Sequence, residues 1–591
     1  MTTKSSVVPR SVVPDLTAVK RAALPCSVAT RLTSAISFNR RHVRVSATTA
    51  VPAVSPAAPP RVRVADLSRA AAWLPWLAAV LTLLAAMHAI EPLPIGVFYD
   101  DAQYLVLAKS LATGNGYRFI NLPGAPMATH FPPGYPAFLA LLWRIAPSFP
   151  ENVALFKFAN AFLLAVVAWL VCEFGRRVLT IPRPLAAVAA VAGAATIPSL
   201  VLSSAVMSEP LFLALLFPLL LWAERVTEEG GDHPVRTAAL LGAAVGVLAL
   251  VRTHGVALAP AIAVPYVARR RWRQCFAFAA ATTAMLAPWL LWVALHNDAL
   301  PPLVRGAYGS YTTWLLEGWR TEGMHLLAVT LPDNIATFWM AIVRSIVPAM
   351  HPVVDVLVGS IYLVLATIGL ARCCRRARVT TVFLAGYLGI VLVWPFSPLR
   401  FLWAIWPLLM ILPAAGIAEA SESEFVRQRR AAQHALVGAA LLLATGIITF
   451  NVRGYANAWW SSNARFHARR VLPQLMWVAR STQPTDVVAA DAEAAVYLYT
   501  GRRAVPITTF TASEYARERT VAEEMSVLAG LLDGYRPRYV LATSPHVIDA
   551  LSRLAQQRPL LVRADSVGSG VVYRNSACTA RADISAPHPC E

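Results

Sequence analysis

Long apolar runs that alternate with short arginine clusters restrict the possible folds of this chain more than any other feature of its sequence. The first run, residues 71–90, contains no Asp, Glu, Lys or Arg, and it has the length, about 20 residues, that an α-helix needs to cross a bilayer. Further runs follow at 156–172, 185–202, 210–223, 238–251, 255–268, 276–295, 353–371, 382–394, 401–417 and 435–450. We therefore predict a polytopic α-helical membrane protein with about 11 transmembrane helices.

The composition agrees with this class. Of the 591 residues, 57% are hydrophobic and only 14% are charged, which is too apolar for an ordinary soluble protein. A formal net charge of +20 would also suit a nucleic-acid partner, but the arginines cluster between apolar runs, as the positive-inside rule expects. Nucleic-acid binding is therefore disfavoured. The seven cysteines show no metal-like spacing.

The arginine clusters also predict which loops face the cytoplasm. They lie at 176–183, 269–273, 372–378 and 427–430. When each apolar run is taken as one membrane crossing, these four loops fall on the same side. A basic segment before the first run and an acidic one after it predict a cytoplasmic N-terminus, and an odd number of crossings puts the C-terminus outside. We expect an integral multi-pass protein, with a bacterial plasma membrane as its location.

This assignment of membrane crossings divides the chain into three parts. Residues 1–70 form a basic arm that we expect to be disordered, and its composition fits an organelle-targeting segment as well as a cytoplasmic tail. The membrane domain covers 71–450, and its first external loop is 91–155. Beyond residue 450, strand-like and helix-like segments alternate and predict an extracytoplasmic α/β domain over 451–591. That domain has no glycine-rich phosphate-binding motif, so we interpret it as an accessory or acceptor-binding module.

Two adjacent carboxylates, Asp100 and Asp101, lie in the first external loop at the edge of the membrane. Aspartate is a favoured N-cap, and residues 102–112 have a helix-like sequence, so capping can explain one of the two. The other is suited to proton transfer, because desolvation and a neighbouring negative charge both raise the pKa of a carboxyl group. The pair therefore has a structural and a catalytic interpretation.

Other charged residues are predicted on the same external face. Glu209 follows an external Ser, Arg252 lies at the tip of a short hairpin, and Arg400 begins a later apolar run. Charged residues at membrane depth are unfavourable and are usually retained for function. Snorkelling to lipid headgroups is the alternative for the two arginines, but arginine on the external side runs against the usual charge bias and favours a specific anionic partner.

In their order and common sidedness these motifs resemble the GT-C superfamily. The matching features are the acidic pair with a Tyr-containing helix after it, a "PPGYP" segment at 132–136, an "SEP" at 208–210 and basic hairpin tips. Over residues 71–450 the sequence is similar to lipid-phosphosugar-dependent transferases of the protein O-mannosyltransferase and aminoarabinose transferase type. The resemblance implies an inverting glycosyltransferase that moves a sugar from a polyprenyl-phosphate donor to a lipid, glycan or protein hydroxyl at the extracytoplasmic face.

The resemblance also implies roles for individual residues. Asp100 occupies the position of the general base, but the family often has Asp-Glu where this chain has Asp100 and Asp101, so Asp101 stays open as the base. Arg252, Arg400 and Lys109 would bind the phosphate of the donor. The supporting residues would be Glu209, His130 and Tyr104.

The metal requirement and two other function classes stay open at this stage. Some relatives use a divalent metal, for which Asp100, Asp101 and Glu209 are candidate ligands, and no cofactor is certain. A transporter or flippase of lipid-linked sugars would share the hydropathy, but it should carry polar groups at mid-membrane rather than on one face. A receptor-like scaffold would need no acidic pair.

Overall fold

The structure is a computed structural model, and it describes residues 72–228, 234–297, 300–348 and 351–578. The predicted basic arm at 1–70 lies outside the described residues. The helices of the membrane part are α1 (Leu74–His88), α2 (Asp100–Ala112), α3 (Gly134–Ile145), α4 (Val153–Arg177), α5 (Arg183–Ala194), α6 (Ile197–Ser204), α7 (Glu209–Glu228), α8 (Val235–Val251), α9 (Leu258–Ala268), α10 (Trp272–His296), α11 (Arg305–Tyr308), α12 (Tyr311–Glu322), α13 (Met324–Ile346), α14 (Pro352–Arg376), α15 (Arg378–Val393), α16 (Pro398–Trp403), α17 (Trp406–Glu422), α18 (Glu424–Gln428) and α19 (Arg430–Ala456).

Within the described ranges, six helices are long and apolar enough to cross a membrane, namely α4, α7, α10, α13, α14 and α19. The pair α5 and α6 is bent by 48° and makes a seventh if it is one span. Shorter apolar helices are α1, α8, α15 and the segment Thr253–Ala268. The fold is thus a helical membrane bundle, as predicted, and the number of about 11 crossings stays a prediction.

Helix α13 lies between the apolar runs 276–295 and 353–371, where the sequence predicted no transmembrane helix. Asn334, near the middle of this 23-residue helix, donates hydrogen bonds to the carbonyl oxygens of Val391 and Trp394 at the end of α15 (3.2 and 2.8 Å). Its side-chain oxygen accepts one from Tyr515, far along the chain (2.6 Å). The middle of α13 therefore lies at one end of the bundle, where an upright spanning helix would place its terminus.

Small residues allow close helix packing in the bundle. A Cβ atom on Gly369 of α14 would lie 1.9 Å from the carbonyl oxygen of Leu412 in α17, and one on Gly416 would lie 1.9 Å from that of Leu365. Only glycine allows two backbones to approach this closely, which is a common way for helices to associate in lipid. The contact holds α17, and with it the preceding α16, against α14.

Three loops that the sequence assigns to the cytoplasm meet at one end of the bundle. The guanidinium of Arg372, at the end of α14, donates to the carbonyl oxygen of Leu179 (2.8 Å) and to Glu419 and Glu422 (2.9 and 2.8 Å). The same-side placement of these loops agrees with the arginine clusters. The compartment that this end faces stays a prediction.

After residue 456 the structure forms a small sheet with helices. Its elements are α20 (Ser462–Ser481), β1 (Val488–Ala490), α21 (Glu493–Thr500), β2 (Ala504–Pro506), α22 (Ser513–Ala516), α23 (Val521–Tyr535), β3 (Tyr539–Ala542), α24 (Pro545–Gln557), β4 (Leu561–Val567) and β5 (Gly570–Asn575). The strand order is β2-β1-β3-β5-β4. Strand β1 is parallel to β2 and β3, whereas β5 is antiparallel to β3 and β4. We call this region the C-terminal part; the sequence did not predict α20, α21, β2 or α22.

Candidate active site

Asp101 organises the turn that precedes α2. Its side chain is fully buried, and its two oxygens accept backbone N–H bonds from Gly96 (2.7 Å), Val97 (3.0 Å) and Phe98 (3.0 Å). Burial raises the pKa of Asp101 to about 6, and the three backbone hydrogen bonds oppose that rise. Both oxygens of Asp101 therefore bind the backbone of its own loop. Of the two adjacent aspartates, Asp101 is the one with a structural role.

Asp100 is differently placed. Helix α2 begins at Asp100 and its N-cap position is Tyr99, so neither aspartate is the N-cap and the simple capping interpretation is wrong. Tyr99 has a φ of 65°, a left-handed conformation that is unfavourable for a residue with a Cβ by about 1–3 kcal/mol and that clusters at functional sites. The Asp100 side chain is 21% exposed and forms an ion pair with Arg400. Of the two carboxylates, Asp100 is the one that a substrate can reach.

Two arginines and a buried glutamate lie beside Asp100. Glu209, the first residue of α7, is 1% exposed and forms an ion pair with Arg252 (Nη1 to Oε1, 2.9 Å). The same oxygen lies 3.6 Å from Nε of Arg400. Arg252 also donates to the hydroxyl of Ser208 (3.2 Å). The charged residues that the sequence assigned to one face thus form one cluster, which Arg400 joins to Asp100.

Some polar atoms of this cluster make no hydrogen bond to any residue that the structure describes, namely both oxygens of Glu209 and one nitrogen of each arginine. Among the described residues, the Nε groups of Arg252 and Arg400 are buried and have no hydrogen-bond partner. A buried donor that is left unpaired is unfavourable, typically by about 1–3 kcal/mol. An oxyanion that accepts from both guanidiniums would satisfy them, because charge-assisted hydrogen bonds are the strongest of their kind.

Aromatic rings enclose the other side of the cluster. Tyr104 lies one helical turn after Asp100, on the same face of α2, and its buried ring packs edge-on against Phe131 at 4.8 Å. Nδ1 of His130 lies 2.5 Å from the carbonyl oxygen of Gly309, and burial lowers the pKa of His130. His130 therefore joins the first loop to the segment before α12, and Tyr104 forms a wall of the site.

Lys109 is not brought to this cluster. It follows Asp100 by nine positions in α2, which is about two and a half turns and therefore the opposite face of the helix. Its ammonium lies 4.8 Å from the centre of the Tyr497 ring in the C-terminal part. Lys109 therefore lies on the face of α2 that points away from the guanidinium groups. The predicted side of the membrane does not show this, because the face depends on helical periodicity.

The carboxylates do not form a metal-binding group. No set of three His, Cys, Asp or Glu side chains in the described ranges could hold a metal ion. Asp100 and Glu209 are paired with arginines, and Asp101 is occupied by backbone N–H groups. The three residues considered as ligands thus have other partners.

Sequence reasoning missed a second buried carboxylate near the loop. Glu493, at the start of α21, is fully buried, and its Oε1 accepts hydrogen bonds from the phenols of Tyr99 (2.6 Å) and Tyr308 (2.7 Å). Burial raises the pKa of Glu493 to about 7, although the two phenols lower it. No local motif marks this residue, since its partners are remote in sequence.

No family model matches the chain, and neither does any curated protein. It is similar to two crystal structures of ArnT from Cupriavidus metallidurans. The one bound to undecaprenyl phosphate is 14% identical, with a TM-score of 0.53 over 88% of this chain and 100% of that chain. The one in the apo state is 12% identical, with a TM-score of 0.49 over 86% and 99%. The first likeness shows that this chain shares the fold of that ArnT structure over most of its length, and this confirms the predicted helical membrane fold.

Proposed function

We propose that this protein is an inverting membrane glycosyltransferase that moves a sugar from a polyprenyl-phosphate donor to a hydroxyl acceptor at the extracytoplasmic face. The observation that carries the proposal is the cluster in which the reachable carboxylate of Asp100 lies beside Arg400 and Arg252, each with a buried Nε that makes no hydrogen bond among the described residues. The fold likeness to ArnT bound to undecaprenyl phosphate supports a lipid-linked phosphate as the anion.

In the proposed reaction, Asp100 is the general base. It takes the proton from the acceptor hydroxyl while the hydroxyl oxygen forms a bond to the anomeric carbon. The bond between that carbon and the phosphate oxygen breaks, and its electron pair leaves with the lipid phosphate. A single displacement from the opposite side inverts the anomeric configuration.

The arginines stabilise the leaving phosphate. Negative charge develops on the bridging oxygen as the bond breaks, and guanidinium groups aimed at that position lower the barrier. Glu209 holds Arg252 in place through the 2.9 Å ion pair. A phosphate on Arg400 would compete with Asp100 for the guanidinium, so donor binding would release the carboxylate to act on the acceptor.

The direct test is sugar transfer by the purified protein. Detergent-solubilised enzyme is incubated with polyprenyl-phosphate sugars carrying a radiolabel in the sugar, and both released lipid phosphate and labelled product are measured. We expect release by the wild type and loss of release in Asp100→Asn. Asp549→Asn, which removes a carboxylate paired with Arg553 on the exposed surface of α24, is the matched control and should remain active.

Two results would contradict the proposal. Movement of the intact labelled lipid between the leaflets of proteoliposomes, without cleavage of the sugar-phosphate bond, would favour a flippase. Equal release in the wild type and in Asp100→Asn would remove this carboxylate from the chemistry.

A further inference from the structure

The residues that follow strand β1 of the C-terminal part contact the first loop. In open α/β sheets, ligands bind at the carboxyl ends of parallel strands, where neighbouring connections diverge. Strands β1 and β3 are such neighbours, and Asp491, just after β1, accepts hydrogen bonds from the backbone N–H and the hydroxyl of Thr543, just after β3 (2.6 Å each). Helix α21 leaves this edge with Glu493 as its first residue.

Other residues of the C-terminal part also contact the loop that contains the acidic pair. The Tyr499 hydroxyl accepts a hydrogen bond from the backbone N–H of Ile95 (3.3 Å), and Nε2 of His467 lies 3.2 Å from the Ile95 carbonyl oxygen. On the far side of the loop, the N–H of Ala504 donates to the carbonyl oxygen of Asn121 (2.8 Å). The C-terminal part thus contacts the first loop from α20, α21 and β2.

Glu493 makes the central contact of this interface with one oxygen. Oε1 accepts from the phenols of Tyr99 and Tyr308 (2.6 and 2.7 Å) and lies 3.3 Å from the amide nitrogen of Gln103 in α2. The second oxygen, Oε2, has no hydrogen-bond partner in another residue of the described ranges. The Tyr308 hydroxyl also accepts from Gln103 and Asn121 (2.8 Å each), so the network joins three separate segments.

The location of Tyr99 connects this network to the candidate active site. Tyr99 has the left-handed backbone conformation, with a φ of 65°, and it directly precedes Asp100. Such a conformation persists only when the surrounding structure holds it. The hydrogen bond from its phenol to a fully buried carboxylate is an anchor of this kind, since the phenol cannot leave without breaking this bond and removing one of the donors to Glu493.

We propose that Glu493 is a positioning residue for Asp100: its Oε1 holds the Tyr99 phenol and thereby fixes the turn that presents Asp100 to Arg400. The inference rests on the proposed function, because it takes Asp100 as the base. Glu493 itself touches no reacting group. Displacing a catalytic group by about 1 Å can lower turnover by about 100-fold, so a residue of this kind controls the rate through geometry.

The geometry makes a specific demand on substitutions. Because the hydrogen bonds from Tyr99, Tyr308 and Gln103 all go to Oε1, glutamine can keep its amide oxygen at that place and its amide nitrogen at the place of Oε2. Glu493→Gln should therefore hold Tyr99 and Tyr308, whereas Glu493→Ala should leave both phenols without an acceptor. Comparing the two variants separates the effect of losing the hydrogen-bond acceptor at residue 493 from the effect of losing its negative charge.

The first measurement is turnover of the full-length purified enzyme with a polyprenyl-phosphate sugar. For Glu493→Ala we expect kcat to fall by about 10-fold to 100-fold with the apparent KM for the donor nearly constant. Glu493→Gln should remain within about threefold of the wild type, because it restores the acceptor. The matched control is Glu524→Ala, which removes a buried carboxylate paired with Arg519 (3.3 Å) and should lower only the thermal unfolding midpoint.

The second measurement is amide hydrogen exchange of residues 95–103, which needs no activity. Loss of the anchor in Glu493→Ala should speed exchange there by about 10-fold, while Glu493→Gln and Glu524→Ala leave it near the wild-type rate. Wild-type exchange and kcat in Glu493→Ala would overturn the inference, and so would a Glu493→Gln enzyme as impaired as Glu493→Ala. A wild-type protein that transfers no sugar would refute the proposed function, and the exchange data would still decide whether Glu493 holds the loop.

Discussion

Replacing each aspartate of the acidic pair by asparagine should separate their roles. Asp100→Asn keeps the size of the side chain but removes the proton acceptor, so turnover should fall by about 100-fold to 10,000-fold. That loss corresponds to about 3–5 kcal/mol in the activation barrier. The ion pair with Arg400 is roughly one-fifth exposed on both sides (22% and 21%), and partly exposed pairs contribute about 0–1 kcal/mol to stability. The barrier should therefore change much more than the thermal unfolding midpoint.

Asp101→Asn should give a different pattern. The carboxylate uses both oxygens to accept three backbone N–H bonds, whereas asparagine has one acceptor oxygen and places an NH₂ group against the remaining N–H. The turn loses at least one hydrogen bond, so turnover should fall less than in Asp100→Asn. The assay is release of lipid phosphate, with the unfolding midpoint measured on the same samples. A fully active Asp100→Asn enzyme alongside an inactive Asp101→Asn enzyme would refute the assignment of the base.

The other predictions concern the arginines, the topology and pH. Arg252→Lys and Arg400→Lys should weaken donor use partially and the alanine variants more severely, because lysine cannot grip a phosphate with two hydrogen bonds; equal kinetics in all four variants would indicate snorkelling. In a background without native cysteines, Ser569→Cys should react with an impermeant reagent on intact cells, while Cys374 retained alone should react only after permeabilisation; the reverse would invert the topology. Because the pKa of Asp101 is raised from 3.8 to about 6, its contribution to stability is greatest below pH 3.8 and is lost as pH rises through about 6. The unfolding midpoint of the wild type minus that of Asp101→Asn should therefore fall across this range, and a constant difference would contradict the shift.

The charged cluster was accessible from sequence because of a simple constraint. Glu209, Arg252 and Arg400 each lie at the end of an apolar segment. A single assignment of membrane crossings places all three ends on one face. In a bundle of short loops such ends are close together, so convergence is expected. The position of Lys109 also follows from the sequence, because two residues nine positions apart in a helix lie on opposite faces. A prediction of the side of the membrane alone does not include this.

Glu493 could not be predicted in the same way, and neither could the contacts of α13. Glu493 lies in an ordinary helical sequence, and the carboxylate acquires its role only from Tyr99 and Tyr308, at sequence separations of 394 and 185. Helix α13 is long and apolar enough to be recognised from the sequence, but the sequence does not show that its Asn334 is satisfied by the end of another helix. The contacts of Glu493 and of Asn334 are both tertiary, so no local sequence pattern predicts them.

The interface between the first loop and the C-terminal part also sets an order of events during synthesis. Tyr99 leaves the ribosome 394 residues before Glu493, a delay of about 20–80 s at ordinary elongation rates of about 5–20 residues per second. Throughout that interval the membrane helices can be inserted while the turn before Asp100 lacks its buried anchor. The chain therefore reaches its membrane before its acidic loop takes its final shape, and a protein truncated before residue 493 would be inserted without ever completing that loop.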